Sequence, residues 1–523
     1  MAYDILIKGG TVIDGAGSPP RLTDIGINGD QISDIGDLGN QDAAKTIDAY
    51  GKYVTPGFID ITNHSDTHLT LFKYPGQESL LMQGVTTIIG GNCGASLAPL
   101  GSREAIGAIR KWVDPSEINV NWATEKEYLD VLDSFRFGVN FGTLVGYGTL
   151  RRGVIGDGVR ELNGNEREAL KLLLRQALTE GAFGLSLGLA YGHERIASTE
   201  EIIDAGKAVE ETGGIIKIHL RSEGLQILSS VNEAIRIGRE TGAPIQISHF
   251  KVIGRKAWPY LSKSLELINS AKASGVKIDF DVSPYRTTGS LLYLLIPNWA
   301  RHGGLTELFK KIDDLEERKK IVEALRSHTL HYDKILVTSA KLKSAVGHTI
   351  AELAEEGGLS PEETILEILR TSEGRVTVMG RTISMKNTKS EIIDPNSIIA
   401  SDGMGLAQDA QKSDDLTHPR SFGTFPRYLS KFVSSLNIPV AEAIKKITSR
   451  PAEKLNIKGR GIIASKRFAD IVVFDPKLLQ DRATYQNPYR YPSGIDCVIV
   501  NGKVAVEKGR IIDSTSGKIL RRT

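Results

Sequence analysis

The chain has 523 residues, and its 40% hydrophobic and 24% charged content is typical of a globular protein with a large core. A formal net charge of +2 argues against nucleic-acid binding, and no apolar run approaches the roughly 20 residues of a membrane span. The two cysteines, Cys93 and Cys497, cannot form a disulfide framework. With an amino terminus that lacks signal features, they predict a cytoplasmic protein.

Short strands with tight turns are predicted at both ends of the chain. An Asn-Gly pair at Asn28 and another at Asn501 are typical of hairpin turns. The predicted strands are Asp4 to Lys8, Asp24 to Asn28, Gln31 to Ile35, Ala469 to Pro476 and Cys497 to Val506. We therefore predict one small β-sandwich built from residues 1–55 and 460–523. The alternative is two unrelated terminal elements.

Between these ends, apolar strands alternate with helical patterns, as in parallel βα units. Helical periodicity is clear at Glu166 to Glu180, Thr199 to Thr212 and Tyr260 to Ser274. The eight predicted strands are Gly57 to His64, Thr86 to Gly91, Val139 to Gly146, Ala182 to Leu189, Ile215 to Leu220, Pro244 to Ser248, Lys277 to Val282 and Ser397 to Ala400. The pattern predicts an α/β fold, a (β/α)₈ TIM-like barrel over residues 56–459.

One segment interrupts this rhythm, at about residues 290–380. It begins with the apolar run "LLYLLIPNWA" and continues with charged helical patterns. A structureless run of this length would be unusual in a compact domain. We therefore interpret the segment as an insertion that could serve as a lid.

Polar residues follow several predicted strands at their carboxyl ends, where the active site of such a barrel forms. These residues are His64, Cys93, His219, His249 and Asp402. Cys93, His219 and His249 are ligand types that zinc prefers, and three of them leave a fourth position for water. The alternative is a set of core residues satisfied by backbone carbonyls.

Asp402 completes the chemistry that this pattern predicts. Zinc lowers the pKa of a water in its open position to about 7. Asp402 would take the proton and pass it to a leaving group, acting as general base and then general acid. Its alternative role is that of a helix N-cap or turn residue before Gly403.

Nine motifs occur in a fixed order: "PGFID…HSD", "GNCGASLAPL", "GAFGLSLGL…AST", "HLRSE", "SHFK", "SPY", "IASDG", "HPRSFGTFPR" and "ADIVVFDP". In this combination the chain resembles the N-acyl-D-amino-acid deacylases (D-aminoacylases) of the amidohydrolase superfamily over nearly its whole length. The resemblance implies a β-sandwich with a (β/α)₈ barrel, zinc, and hydrolysis of the amide of a small-molecule N-acyl-D-amino acid.

The resemblance also implies roles for single residues. The family's tightly held zinc ligands match Cys93, His219 and His249, and its catalytic acid/base matches Asp402. Lys251 in "SHFK", Tyr285 in "SPY" and Arg420 in "HPR" match positions around the substrate. Such residues suit a free α-carboxylate, which needs cationic or hydroxyl donors. Lys251 and Arg420 could instead be solvated surface charges.

Strand one departs from the family pattern. The family usually has His-x-His there, whereas this chain has Thr62 in the first position and His64 in the second. Because threonine is a poor zinc ligand, a second metal site formed by Cys93 and His64 should be weak or empty. We therefore expect about one tightly bound zinc per chain. His68 is a candidate substitute for the missing histidine.

Two further departures concern substrate choice. Tyr147 stands where the family commonly has histidine, and "GLAYGHERIAST" differs from a more proline-rich family stretch. We expect both to border the pocket.

Two other functions remain open at this stage. One is hydrolysis of a cyclic amide, as in dihydroorotases and hydantoinases, which commonly use a strand-four lysine that "FGLSLGL" lacks. The other is an impaired barrel that acts as an interaction scaffold, which Thr62 favours and the retained Cys93, His219, His249 and Asp402 oppose.

Overall fold

A computed structural model describes residues 2–327, 330–413 and 415–523. The strands in this part of the chain are β1 (Tyr3–Val12), β2 (Arg21–Asn28), β3 (Gln31–Gly36), β4 (Ala43–Asp48), β5 (Tyr53–Pro56), β6 (Phe58–Asp60), β7 (Val85–Gly90), β8 (Asn140–Thr143), β9 (Val145–Gly146), β10 (Gly184–Gly188), β11 (Ile215–His219), β12 (Ile245–Ile247), β13 (Ile278–Val282), β14 (Thr288–Leu291), β15 (Ile335–Ala340), β16 (Val376–Gly380), β17 (Ser397–Ile399), β18 (Ile471–Phe474), β19 (Ile495–Val500), β20 (Lys503–Glu507) and β21 (Arg510–Ile511).

The α-helices of the same residues are α1 (Thr70–Lys73), α2 (Glu78–Leu81), α3 (Glu125–Asp133), α4 (Tyr147–Ile155), α5 (Gly164–Thr179), α6 (Gly192–Arg195), α7 (Thr199–Glu211), α8 (Ile227–Thr241), α9 (Leu261–Ala273), α10 (Asn298–Arg301), α11 (Gly304–Asp313), α12 (Leu315–Ser327), α13 (Ile350–Gly357), α14 (Pro361–Thr371), α15 (Met385–Ile393), α16 (Arg420–Arg427), α17 (Val440–Lys445) and α18 (Ser449–Leu455). Several begin at capping boxes, as at Asn163 and Glu166 of α5. No helix among the described residues is long and apolar enough to cross a membrane.

Eight parallel strands form the barrel, as the sequence predicts. One sheet has the order β17-β13-β12-β11-β10-β9, and β6, β7 and β8 form the remaining arc. The nine labels describe eight barrel strands, because β8 and β9 are two parts of one strand. The third barrel strand is interrupted at Leu144, between β8 and β9. Strands eight and one close the ring, because the Asp402 backbone N–H donates to the Thr62 carbonyl at 3.0 Å and the His64 N–H donates to the Gly403 carbonyl at 2.8 Å.

Alternation along the strands decides what faces the barrel interior. In β11, Ile216 and Ile218 pack outward against the helices, in the same cluster as Ile245 and Ile247 of β12. Lys217 and His219 therefore point into the barrel. The interior is consequently polar near its carboxyl end, where Lys217, Gln246 and Asp281 are fully buried.

Strands from both chain ends join one sheet of nine strands, in which β18 pairs antiparallel with β5. Its own core combines residues of both ends, such as Ile5, Ile25, Val473 and Ile499. The alternate β18 residues Val472 and Phe474 belong to the large cluster that reaches the barrel. The two ends are therefore one unit, although the exact boundaries at residues 55 and 460 remain a prediction.

The predicted insertion contains a three-stranded antiparallel sheet in the order β14-β16-β15, together with α10 to α14. It has a hydrophobic core of its own, which includes Leu308, Ile321, Val337, Ile365 and Val376. It leaves the barrel after β13 and returns before β17. This position sets it beside the carboxyl ends of the barrel strands.

Candidate metal centre and active site

Three predicted zinc ligands come together at the carboxyl end of the barrel. One nitrogen or sulfur atom from each of Cys93, His219 and His249 lies within 4.8 Å of the other two, and all three residues are buried. Cys93 Sγ is 3.3 Å from His249 Nε2. His219 Nδ1 is buried without a hydrogen-bond partner among the described residues. A sulfur and two imidazoles at this spacing fit zinc.

The backbone at the site is held in an uncommon conformation. Cys93, His249 and Asp402 have φ values of 54°, 38° and 53°, in the left-handed region that residues other than glycine seldom adopt. Such conformations cost free energy and persist where surrounding contacts hold them. For His249, its backbone N–H donates to Asp281 Oδ1 at 2.7 Å.

A buried carboxylate supports the two histidines from behind. Glu223 Oε1 lies 3.2 Å from His249 Nδ1 and 4.0 Å from His219 Nε2. Lys251 Nζ donates to the same oxygen at 2.6 Å and lies 2.9 Å from His249 Nδ1. Partners of this kind orient the ring, and they leave His249 Nε2 free to face Cys93. Burial opposes ionisation of Glu223, but Lys251 and the two imidazoles outweigh it and hold the pKa of the carboxyl well below its usual range.

Asp402 and His64 form a second pair beside the cluster. His64 Nε2 is 3.1 Å from Asp402 Oδ1 and 4.0 Å from Cys93 Sγ. Arg420 donates to Asp402 Oδ2 at 2.5 Å. His64 is thus next to Cys93 but engaged with Asp402, and it is not part of the three-residue cluster.

These contacts set the charge states of the acid and the thiol. Burial raises the pKa of Asp402, but the Arg420 guanidinium and the imidazoles of His249 and His64 outweigh it and hold that pKa well below its usual range. Burial also raises the pKa of the Cys93 thiol, and the facing imidazoles reverse this effect, so that its pKa lies well below the usual value. These shifts favour the ionised form of Asp402 and the thiolate form of Cys93, which is the form that binds metals.

All these groups open into one cavity of about 130 Å³. The barrel supplies its polar floor, and the insertion supplies much of its opposite wall. Wall residues from the insertion and its edges include Leu291, Leu294, Thr338, Thr377 and Met379. The predicted lid segment thus borders the site.

Lys251 and Arg420 line this cavity, as expected for residues near a substrate. Tyr285 is not among the described residues that line it: Tyr285 is buried, and its hydroxyl donates to the Pro419 carbonyl at 3.3 Å. A small neighbouring cavity is lined by Tyr285 together with Lys251 and Arg420, so the predicted role of Tyr285 near the substrate stays a prediction.

The structure also places His68, Tyr147 and Tyr191 relative to this cavity. His68 lines the cavity, but its ring stacks near Trp112 with centroids 5.7 Å apart, and it does not join the metal cluster. Burial lowers the pKa of His68 to about 3, and the nearby charges of His64 and Arg420 add to this effect. Tyr147 is fully buried and donates to Glu201, away from the cavity, whereas Tyr191 of the "GLAYGHERIAST" stretch does line it.

The chain matches the amidohydrolase family over residues 45–368. It is 31% identical to a D-aminoacylase of Alcaligenes xylosoxydans xylosoxydans, over 100% of this chain and 98% of that protein. The chain belongs to the N-acyl-D-amino-acid deacylase family of amidohydrolases.

Two solved structures support this assignment. The fold superposes on the N-acyl-D-glutamate deacylase of Bordetella bronchiseptica with a TM-score of 0.85, at 28% identity and over 100% of both chains. That structure is a complex with zinc and a phosphonate inhibitor. The fold also superposes with a TM-score of 0.83 on a D-aminoacylase described for its binuclear metal centre, with one-metal activation and second-metal attenuation, at 31% identity over 99% of this chain and all of that one.

Sequence reasoning missed several residues of this amidohydrolase site. Glu223, Trp112 and Tyr191 line the cavity, and none was assigned a role. Lys217 was also missed, although one signal was available. It lies two residues before His219 on a strand, so the two side chains share a face.

Proposed function

We propose that this protein is a zinc-dependent hydrolase that cleaves the amide bond of N-acyl-D-amino acids. The observation that carries the proposal is the cluster of Cys93, His219 and His249 with the ionised Asp402 beside it, in one cavity. The relatives named as D-aminoacylase and N-acyl-D-glutamate deacylase support the class of substrate.

The residues that would hold zinc are Cys93, His219 and His249, and we propose about one tightly bound ion per chain. When bound in such a site, zinc polarises the amide carbonyl and lowers the pKa of water to about 7. His64 is next to Cys93, but its contact with Asp402 argues for a supporting role there rather than a second strong metal site.

Asp402 carries the proton in the proposed reaction. The oxygen of water adds to the acyl carbon while its proton passes to an oxygen of Asp402. Asp402 then gives this proton to the amide nitrogen, and the carbon–nitrogen bond breaks. The second proton of water stays on the new carboxyl group until the free amine takes it up. The products are a carboxylate and an amino acid with a protonated amine, so atoms and charges balance without any other reactant. Arg420 keeps Asp402 ionised for the first step.

The α-carboxylate of the substrate would lie near Lys251 and Arg420. Both side chains are partly buried at the cavity wall, where a charge-assisted hydrogen bond is stronger than in water. Lys251 is already paired with Glu223, and Arg420 with Asp402. The substrate carboxylate would therefore share these cations with the two protein carboxylates. Tyr285 is retained as a proposed residue of the substrate site, because it lines a small cavity with Lys251 and Arg420.

The insertion at about residues 290–380 is proposed as the lid of this site, because its residues form the wall opposite the metal ligands. The proposed division places the barrel at 56–459 and the sheet unit at 1–55 and 460–523. The prediction of a cytoplasmic enzyme rests on its two unpaired cysteines and stays a prediction.

The test is a hydrolysis screen of N-acetyl and N-formyl amino acids of both hands, with hydantoin and dihydroorotate as cyclic amides. We expect release of free amino acid from the D-compounds, abolished by a chelator and restored by Zn²⁺. Hydrolysis of the cyclic amides alone would overturn the proposal in favour of a cyclic amidase. A protein that binds no zinc and hydrolyses nothing would favour the scaffold function.

A further inference from the structure

A lysine lies inside the barrel, below the metal ligands. Lys217 of β11 is fully buried, and its Nζ donates to the Ile61 carbonyl at 2.5 Å and to Thr62 Oγ1 at 2.6 Å. The carboxylate of Asp281 on β13 is 3.8 Å away and supplies the opposite charge. Every contact of this ammonium is therefore with strand one or with the carboxylate that faces it.

Thr62 connects this ammonium to the metal ligands. Its hydroxyl accepts from Lys217 and donates to Asp281 Oδ1 at 2.9 Å. The same Asp281 oxygen accepts the backbone N–H of His249 at 2.7 Å. A continuous chain of hydrogen bonds thus leads from Lys217 to a zinc ligand.

The position of Lys217 can be read from strand register. Lys217 lies two residues before His219 on β11, so these two side chains share the inward face of that strand. Thr62 lies just beyond the end of β6, and its hydroxyl contacts Lys217 and Asp281. Any longer side chain at position 62 would extend from its Cβ into the space that Lys217 Nζ and Asp281 now fill.

We propose that the Lys217 ammonium occupies the place of a second divalent cation and restricts the centre to a single metal. This inference rests on the zinc site proposed above and names the part of the chain that sets its stoichiometry. A second metal would need ligands from strand one and would lie about 3.5–4 Å from the first. Here strand one offers a hydroxyl that is already bonded to the Lys217 ammonium, so this ammonium lies beside the position from which strand one would supply a ligand to the second ion.

The physical reason is compensation of charge. Asp281 is buried and holds the backbone of His249, so it needs a cation nearby. In a site with two metals, the second ion can provide that charge. Lys217 supplies it here from 3.8 Å away, and on this proposal it excludes the ion. Thr62 and Lys217 therefore act as a pair, and changing one alone should not restore a second site.

The test is metal stoichiometry, measured by elemental analysis after saturation with Zn²⁺ and removal of free metal. The variants are Thr62→His, Lys217→Met and Thr62→His with Lys217→Met. We expect about one zinc per chain in the parent and in each single variant, and about two in the double variant. A double variant that folds, as judged by circular dichroism, and still binds about one zinc would overturn the proposal.

A matched control for the double variant is Thr62→His with Lys446→Met. Lys446 is also a buried lysine that donates to backbone carbonyls and a hydroxyl, those of Ile392, Asp394 and Ser397, but at the amino end of β17. This control variant should bind the same amount of zinc as the parent. A gain of metal in this control would show that loosening of the barrel, not removal of Lys217, opens the second site.

A second measurement needs no lysine variant. Titration of the metal-free parent and of Thr62→His with Co²⁺, followed by visible absorbance, should saturate at about one equivalent in both. Uptake of a second equivalent by either protein would overturn the proposal, even if the double variant does not fold. Both readouts are independent of substrate. Failure of the deacylase screen with the expected metal counts would therefore reject the proposed activity and leave the role of Lys217 standing.

Discussion

The two sides of the site handle buried charge in different ways. On the side of β11 and β12, the carboxylate of Glu223 is paired directly with Lys251 and the His249 ring. On the side of β6, Asp66 follows the strand and accepts the Gly91 backbone N–H at 2.6 Å, and the two oxygens of Glu125 in α3 accept no hydrogen bond from the described residues. The carboxylate of the first side is paired with cations, whereas on the second side burial raises the pKa of Asp66 to about 6 and that of Glu125 to about 8.

This difference follows what each side must do. Metal ligands need fixed rings and a compensated charge, and the pair of Glu223 with Lys251 provides both. The strand-one side has lost one histidine relative to the family pattern. Its remaining histidine, His64, forms a hydrogen bond with Asp402. On the proposal made above, the strand-one side of the site is arranged around the Lys217 ammonium, whereas the side of β11 and β12 holds the proposed metal ligands His219 and His249.

The largest expected effect concerns Asp402. If its carboxylate carries the proton, Asp402→Asn should lower kcat on the order of 10²–10⁴-fold while the content of zinc stays unchanged. The measurement is steady-state kinetics beside elemental analysis, with Asp409→Asn on the exposed segment Gln408–Lys412 as control. Loss of zinc in Asp402→Asn would instead show that Asp402 is a metal ligand, like the histidines on the side of β11 and β12.

A smaller effect is expected for Lys251. Lys251→Met should raise KM for an N-acyl-D-amino acid about 10–100-fold, because a hydrogen bond to a charged group contributes about 1.5–3 kcal/mol. An N-acyl amine without a carboxylate should be affected little. The control is Lys256→Met, since Lys256 is exposed. Equal loss on both substrates would mean that Lys251 acts by positioning Glu223 and His249.

The smallest effect concerns pH and the strand-one side. Burial raises the pKa of Glu125 from 4.5 to about 8, and the charges of Glu180 and Asp66 add to this effect. The folded protein therefore holds a proton that the unfolded chain has released, and stability should fall as the pH rises from about 4.5 to about 8.

The variant Glu125→Gln cannot ionise, so it should lose this dependence. Relative to the parent, we expect a gain on the order of 1–2 kcal/mol at pH 8 and almost none at pH 4. Thermal unfolding at both pH values measures it, with the exposed Glu323→Gln as control. A parent whose stability does not change over this range would show that Glu125 has a partner on folding.

Much of the barrel was predictable because its strands are buried on both faces. The eight predicted segments each overlap an observed barrel strand, and α5, α7 and α9 agree with their predicted bounds within two residues. The strands of the insertion were not predicted. Residues such as Ile335–Ala340 lie between charged helices, and nothing local shows that they pair with the distant Val376–Gly380.

The site was predictable where its residues end strands and much less so elsewhere. Cys93, His219 and His249 follow apolar runs, and the structure brings them together. Glu223 and Trp112 lie in loops, where no periodicity fixes the direction of a side chain. Tyr285 was placed by motif, but it does not line the main cavity, and its hydroxyl donates to the Pro419 carbonyl. Lys217 is the clearest example. Alternation along β11 predicts that its side chain points into the barrel, but nothing in the sequence shows that it contacts Thr62 and Asp281.

The pairing of β5 with β18 also has a consequence for synthesis. These strands are separated by roughly 400 residues, and a ribosome adds about 5–20 residues per second. For about 20–80 s, β5 therefore has β1 on one side and an open edge on the other. Open edges are where strands of different chains join. A nascent or truncated chain that ends with the barrel is thus exposed to aggregation at this edge, although every residue of its metal cluster has already been made.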